Sequence, residues 1–253
     1  MKNARSFNPI IIFVLIILGG WSLARLFPDK VVAPEKPKNT TEFLEEQKTP
    51  TVLDIPTQEK KETFVLPDKF YIKDVPFVSQ APFAFWDHLH EEACEEAAIL
   101  MAHYFLNGIK EVELEKQDKD INELVDFEKE LLNKWESTTA AETARLIEKK
   151  YGYEVDVRYD VELEDIKEAI ARGNPVLLPA NGRELKNPHY KQPGPMYHFL
   201  IAIGYGDGQI ITHDPGTKFG KDYFYDEKVL YEALGDWNGE SGDGRKVMMT
   251  IAK

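Results

Sequence analysis

Residues 80–108 read QAPFAFWDHLHEEACEEAAILMAHYFLNG and contain Cys94, the only cysteine of the chain. Apolar residues recur there at three- and four-residue spacing and Asn107-Gly108 ends the pattern, which predicts a helix that begins near Cys94. Unpaired backbone N–H groups and the helix dipole favour a thiolate in a first turn, and the thiolate is the nucleophilic form. A small buried hydrophobic residue is the alternative for a lone cysteine, so the case for a nucleophile depends on partner residues elsewhere.

The composition of the chain limits its class. With 253 residues, of which 43% are hydrophobic and 30% charged, the chain can form one sizeable domain or two small ones. The formal net charge of −13 argues against nucleic-acid binding, which needs a basic surface. One cysteine cannot form an internal disulfide, so the fold must be stabilised by its core.

Residues 1–30 have the pattern of a targeting segment, with basic residues ahead of an apolar run at 10–24. A helix from Pro9 to Leu26 would be roughly 27 Å long, close to the roughly 30 Å hydrocarbon core of a bilayer. We therefore expect a single-pass signal anchor, which keeps the protein on the membrane. A cleaved signal peptide, which would release it, is the alternative because Ser22-Leu23-Ala24 has small residues at the two positions that a signal peptidase requires. Either segment places the rest of the chain outside the cytoplasm.

Two further parts follow. Residues 31–63 are rich in Pro, Lys, Glu and Thr without sustained periodicity, which predicts a disordered linker. Residues 64–253 have ordinary globular composition and no internal repeat, and we expect one domain. After the Cys94 helix, amphipathic patterns predict acidic helices at 120–135 and 140–151.

Strand patterns dominate the second half of this domain. Besides one helix at 162–173, we expect strands at YEVDVRYD (153–160), PVLLPA (175–180), YHFLIAIGY (197–205), QIITHDP (209–215) and KVMMTIAK (246–253). Helices followed by strands are typical of an α+β fold with a mostly antiparallel sheet.

Two residues that are distant in the sequence come together if Gly206-Asp207-Gly208 forms a tight hairpin turn. His198 begins one strand of this hairpin and Asp214 follows the other, so antiparallel pairing puts them at the same end. Nucleophilic catalysis by a thiol needs a general base and a group that orients the base. The sequence therefore predicts that His198 and Asp214 are neighbours and are candidate partners of Cys94.

The order of these segments resembles the C39-like branch of the papain-like cysteine peptidases. The resemblance rests on VPFVSQ at 75–80, the cysteine-bearing helix, YHFLIAIGY at 197–205 and HDPG at 213–216, and it extends roughly from Asp74 to the C-terminus. It implies a papain-like fold with N-terminal helices packed on the sheet, preceded here by one transmembrane helix. The implied roles are Gln80 and the backbone N–H of Cys94 as oxyanion donors, Cys94 as nucleophile, His198 as general base and then acid, and Asp214 as the residue that holds the imidazole.

The chain departs from many members of this family after the cysteine, where Gly-Pro is replaced by Glu95-Glu96. Carboxylates beside a thiol raise its pKa by charge repulsion, although glutamates are also ordinary partners of a helix N-terminus. If Glu95 lines the cleft, we expect it to select a basic or amine-bearing substrate. Trp86 and Tyr197 are further candidate substrate-binding residues, because aromatic loop residues beside a nucleophile often form subsites.

A metal site is a competing interpretation of the cluster His88, His90, Glu91 and Cys94. Zinc sites usually have four ligands, and this chain has no second cysteine and no HExxH motif, so we expect no metal. His213 lies next to Asp214, but adjacent side chains of a strand point to opposite faces, so we expect it to face away from the site.

The sequence thus predicts a membrane-tethered, extracytoplasmic cysteine peptidase that acts on peptide or protein substrates through a thioester and needs no cofactor. Two alternatives remain open. The first is a peptide-binding module of the same fold with negligible turnover at the cell surface. The second is an amidase or transpeptidase that uses the same triad. The sequence specifies neither the substrate nor the oligomeric state.

Overall fold

The computed structural model describes residues 64–253. The transmembrane helix or signal peptide predicted at 1–30 and the linker predicted at 31–63 lie outside the described residues. Within residues 64–253, no helix has both the length and the apolar character needed to cross a bilayer.

The described part of the chain confirms an α+β fold with helices first and most strands after them. The helices are α1 (His88–Glu92), α2 (Cys94–Leu106), α3 (Leu114–Leu132), α4 (Ala140–Tyr151), α5 (Leu163–Ala171) and α6 (Glu227–Ala233). The strands are β1 (Phe70–Tyr71), β2 (Glu154–Tyr159), β3 (Val176–Ala180), β4 (His198–Gly206), β5 (Gln209–His213), β6 (Tyr223–Asp226) and β7 (Val247–Ala252).

These strands form one antiparallel sheet in the order β2-β7-β3-β4-β5-β6, with β1 paired to β4 off this path. Asp207-Gly208 is the two-residue turn between β4 and β5, and both residues have positive φ, 52° and 77°. Positive φ at both central residues is typical of a tight hairpin turn, so the predicted hairpin is confirmed. Its register puts Ile201 opposite His213, which brings the start of β4 and the end of β5 to the same end of the sheet.

Helix α2 packs against β4 and α3 and is the most buried helix of the domain. Every residue from Cys94 to Ala102 is buried, including Glu95 and Glu96. A helix that is covered on all sides belongs to the core and not to the surface. The position of Cys94, the first residue of α2, is therefore set by core packing.

Several elements differ from the sequence-based expectation. Helix α3 begins at Leu114 and not at Asp120, because its first turns are mostly charged and exposed and carry no apolar period. Helices α1 and α6 and strand β6 were not predicted, because each is too short to show a clear period. By contrast α4 has the predicted bounds, and its start is stabilised by a capping box between Thr139 and Glu142.

Two carboxyl groups face each other between α2 and α3. Glu96 and Glu128 are both completely buried, and none of their four carboxyl oxygens has a hydrogen-bond partner among the described residues. Burial, followed by the charge of Glu128, raises the pKa of Glu96 well above its ordinary value, and burial raises the pKa of Glu128 to about 8. Two neighbouring buried carboxyl groups without donors repel each other once both are ionised, so the pair is favourable only while at least one of them is protonated.

Glu128→Gln should therefore stabilise the domain at alkaline pH. Because folding raises the pKa, the stabilisation due to protonation is complete below the ordinary value of 4.5 and is lost as the pH rises through about 8. The amide stays neutral at every pH, so the free energy of unfolding in urea should fall less between pH 4.5 and about pH 8 in Glu128→Gln than in the wild type. Glu130→Gln, on the exposed face of α3, is the matched control. Equal pH dependence in all three proteins would contradict this account.

Candidate active site

A cavity of about 920 Å³ lies beside the N-terminus of α2 and the start of β4. Its volume is within the usual range for ligand sites. Six of the seven residues proposed for the site from the sequence line it: Gln80, Trp86, Cys94, Glu95, Tyr197 and His198. Asp214, the seventh, lies behind His198 and is completely buried.

His198 and Asp214 form a buried hydrogen-bonded pair. The Nε2 atom of His198 lies 2.8 Å from Oδ1 of Asp214. Burial opposes ionisation of Asp214, but the charge of His198 and the hydrogen bonds from neighbouring side chains outweigh it and hold the pKa of Asp214 below its ordinary value. Because an ionised carboxylate only accepts, a neutral His198 carries its hydrogen on Nε2 and keeps the lone pair on Nδ1. That lone pair is what a general base needs.

Three further side chains hold Asp214, and none of them was predicted from the sequence. Oδ2 accepts hydrogen bonds from Asn187 Nδ2 at 3.0 Å, from Tyr190 OH at 2.6 Å and from Tyr225 OH at 2.6 Å. Oδ1 also accepts the backbone N–H of Gly216 at 2.9 Å. The aromatic residues of β6 are common in strands, but the strand is too short to show a period, and no local pattern indicates that Tyr225 reaches Asp214.

The thiol of Cys94 is bonded to the next residue and not to His198. Its Sγ donates to Oε2 of Glu95 at 2.9 Å. Burial raises the pKa of Cys94 well above its ordinary value. The charge and hydrogen bond of Glu95 and then the charge of Glu96 raise it further, whereas the backbone N–H of Phe199 lowers it. The expectation that the helix N-terminus favours a thiolate is therefore wrong for this resting geometry, because burial and two carboxyl groups outweigh the dipole. The contact with Phe199 nevertheless places the sulfur at the start of β4.

Glu95, predicted as a substrate-binding residue, has both carboxylate oxygens engaged within the chain. Its second oxygen, Oε1, accepts from the backbone N–H of Thr138 at 3.1 Å, and only 2% of the residue is exposed. Tyr197 is also engaged, since its hydroxyl donates to the carbonyl of Thr138 at 2.8 Å. Trp86, in contrast, is 42% exposed. Of the three candidates, only Trp86 offers a free side chain to a substrate without rearrangement.

Gln80 lines the cavity, but its amide hydrogens point elsewhere. Nε2 donates to the carbonyl of His90 at 2.8 Å and to that of Glu91 at 3.1 Å, and Oε1 is buried without a donor among the described residues. The backbone N–H of Gln80 donates to Pro215, which ties it to the turn after Asp214. Gln80 is thus close to the site, and its role as an oxyanion donor stays a prediction that requires its amide to reorient.

Two further histidines, His90 and His213, have polar partners of their own. His90 lies between Asp87 and Asp118, with its ring nitrogens 2.7 and 2.9 Å from their carboxylates. His213 contacts the carbonyl of Val75 and, as predicted, faces away from the site. In residues 64–253, no group of three or more His, Cys, Asp or Glu side chains is arranged to hold a metal ion.

Comparison with known proteins finds one matching family and several similar solved structures. The sequence profile of the Peptidase_C39 like family matches residues 72–242. Among solved structures, similarity is found to a protein from Bacillus anthracis described as a C39-like peptidase (TM-score 0.48, 16% identity, covering 74% of this chain and 98% of that chain). The chain is also similar to the peptidase domain of Streptococcus ComA, a bifunctional ABC transporter involved in quorum sensing (TM-score 0.41, 15% identity, covering 70% of this chain and 98% of that chain). A third similar structure is a double glycine motif protease from an AMS/PCAT transporter, in complex with the leader peptide (TM-score 0.38, 16% identity, covering 72% of this chain and 93% of that chain). No curated protein matches the chain.

Glu95→Gln should make Cys94 more reactive at neutral pH. Removing the adjacent charge lowers the pKa of the thiol, and the thiolate fraction rises about tenfold for each unit by which the pKa falls. We expect the rate of alkylation by iodoacetamide, followed by mass spectrometry, to increase about fivefold or more. Glu92→Gln removes a carboxylate that lines the same cavity without contacting Sγ, and it should change the rate far less. Equal rates in Glu95→Gln and the wild type would show that Glu95 does not control the thiol.

Proposed function

Because the chain belongs to the Peptidase_C39 like family, we propose that it is a cysteine peptidase with Cys94 as its nucleophile. The observation that carries this proposal is the buried His198–Asp214 pair at the wall of a cavity that also contains Cys94. The cavity is large enough for a peptide segment, and Trp86 at its wall offers an apolar surface to a substrate side chain. The proposed substrate is therefore a peptide or protein.

In the proposed reaction, Nδ1 of His198 accepts the proton of the Cys94 thiol. The thiolate attacks the carbonyl carbon of the scissile bond, and a C–S bond forms as the carbonyl oxygen becomes an oxyanion. His198 then gives its proton to the leaving amine as the C–N bond breaks, which leaves a thioester. Water, deprotonated by His198, attacks the thioester, releases the carboxylic acid product and returns the thiol. Asp214 orients the imidazole and stabilises its positive charge throughout.

Two donors are available for the oxyanion in this scheme. Cys94 is the first residue of α2, where a backbone N–H has no acceptor within the helix. Gln80 can supply the second donor once its amide turns from the carbonyls of His90 and Glu91. Donors aimed at a developing charge are often the largest single contribution to acyl-transfer catalysis.

The Cys94–Glu95 hydrogen bond favours a second candidate function. Catalysis requires the thiol to exchange Glu95 for His198, and burial together with Glu95 keeps the thiol protonated until it does. A chain in which this exchange never occurs would be a peptide-binding module of the same fold. The two candidates differ in one measurable property, which is the reactivity of the thiol at neutral pH.

His198→Ala should abolish both thiol activation and peptide cleavage. General acid–base catalysis typically contributes about 10²- to 10⁴-fold, so cleavage of a peptide library by residues 64–253 should fall by about 100-fold or more. Asp214→Asn should also reduce it, because the imidazole loses its charged partner. His88→Ala, an exposed histidine, is the control. A wild-type alkylation rate that rises only at alkaline pH and ignores both site variants would exclude the peptidase and favour the binding module.

We also propose that residues 1–30 tether the domain to a membrane with the catalytic domain outside the cytoplasm. The support is the apolar run at 10–24 with basic residues ahead of it. A protein with tags at both ends should sediment with membranes, and a protease added outside intact cells should remove the C-terminal tag. Deletion of residues 1–30 should leave the protein in the cytosol. Loss of the N-terminal tag together with release of the domain would instead identify a cleaved signal peptide.

A further inference from the structure

The carboxylate of Asp214 accepts more hydrogen bonds than are needed to hold one imidazole. His198 and the backbone of Gly216 donate to Oδ1, while Asn187, Tyr190 and Tyr225 all donate to Oδ2. No part of Asp214 is exposed, so water does not take the place of these donors. Every acceptor direction of the carboxylate is therefore filled by the protein.

We propose that Asn187, Tyr190 and Tyr225 are positioning residues that hold Asp214 as an anion in a single orientation and thereby align His198. We call these three residues the Asp214 anchor. The inference rests on the proposed function, because Asp214 matters as the partner of the catalytic base. The anchor residues act through Asp214, and none of them is assigned contact with the reacting atoms.

The chemistry of the contacts supports this role. A buried carboxylate is unfavourable unless its charge is met by donors. The two tyrosine hydroxyls lie 2.6 Å from Oδ2, within the range of about 2.5–2.7 Å for hydrogen bonds from O–H to an anion. Such bonds are roughly twice as strong as those between neutral groups. They hold the proton off Asp214 and prevent rotation of its carboxylate away from His198.

Tyr190 also joins the anchor to the cavity wall. Its ring packs against the imidazole of His198 in a T-shaped arrangement, with ring centroids 5.3 Å apart, and the same residue lines the cavity. The next residue, Lys191, reaches across to Glu91 at 3.5 Å. Of the three anchor residues, Tyr190 is therefore the one that connects Oδ2 of Asp214 to the cavity lining.

The space around the His198–Asp214 pair is also restricted. A methyl group added at Gly216 would lie 2.8 Å from the His198 ring and 3.2 Å from the Tyr190 ring. Contacts this short force neighbouring groups to move. The packing therefore restricts how the imidazole, the Asp214 anchor and the carboxylate can be placed relative to one another.

Tyr225→Phe and Tyr190→Phe test the proposal in the full-length chain in detergent. Each removes one donor to the anion, so the titration midpoint of the Asp214 carboxyl, followed by ¹³C NMR, should move to higher pH, and furthest in the double variant. Tyr223→Phe is the matched control, because it lies on the same strand with its ring centroid 4.7 Å from that of Tyr225 but does not donate to Asp214. An unchanged midpoint in both test variants, or an equal shift in the control, would overturn the proposal.

A second readout separates positioning from mere stability. In an active enzyme, the alkylation rate of Cys94 falls on the acid side of its pH profile, and we call this fall the acid limb. In the variants the acid limb should move to higher pH together with the Asp214 midpoint. A purely structural role would lower the rate at every pH without moving the limb, and that result would also overturn the proposal. If wild-type Cys94 proves unreactive, the proposed function fails, whereas the NMR titration still tests the anchor. Should Tyr190→Phe not fold, Tyr225→Phe alone decides the outcome.

Discussion

The burial of α2 against β4 is the constraint on which the site depends. Residues 94–102 are covered on all sides, so the helix cannot shift or rotate without opening voids in a close-packed core. The same packing sets Cys94 beside Phe199, the residue after His198, so the proposed nucleophile and the proposed base belong to two rigid elements that touch. Loops supply the cavity walls, whereas the thiol and the imidazole are placed by the core.

Burial has opposite consequences for the acidic groups that it encloses. Asp214 is as deeply buried as Glu128, but it receives a full set of donors and its pKa stays below the ordinary value. Glu128 meets mainly another carboxyl group, and burial raises its pKa to about 8. Cys94 resembles the second case, since its nearest polar partner is the carboxylate of Glu95. The supply of donors, and not depth alone, therefore decides which buried acid is ionised.

The parts of the site that follow from local signals could be predicted from the sequence. The hairpin turn at 207–208 and its two strands have local sequence signals. These signals were sufficient to predict that His198 and Asp214 are neighbours. Tyr190 and Tyr225 could not be predicted, because they reach Asp214 through the path of a loop and the pairing of β6 with β5. The burial of Glu96 could not be predicted from the sequence either. A glutamate in a first helical turn usually faces solvent, and only the packing of α3 on α2 shows that it does not.

The hydrogen bond from Cys94 to Glu95 also bears on the chemical survival of the sulfur. Oxidants react with the thiolate far more readily than with the thiol, and the higher oxidation products are irreversible. The chain has no second cysteine with which a sulfenic acid could form a protective disulfide. Burial and the contact with Glu95 keep the thiol protonated, and in the proposed peptidase this protects the only thiol of the chain from oxidation.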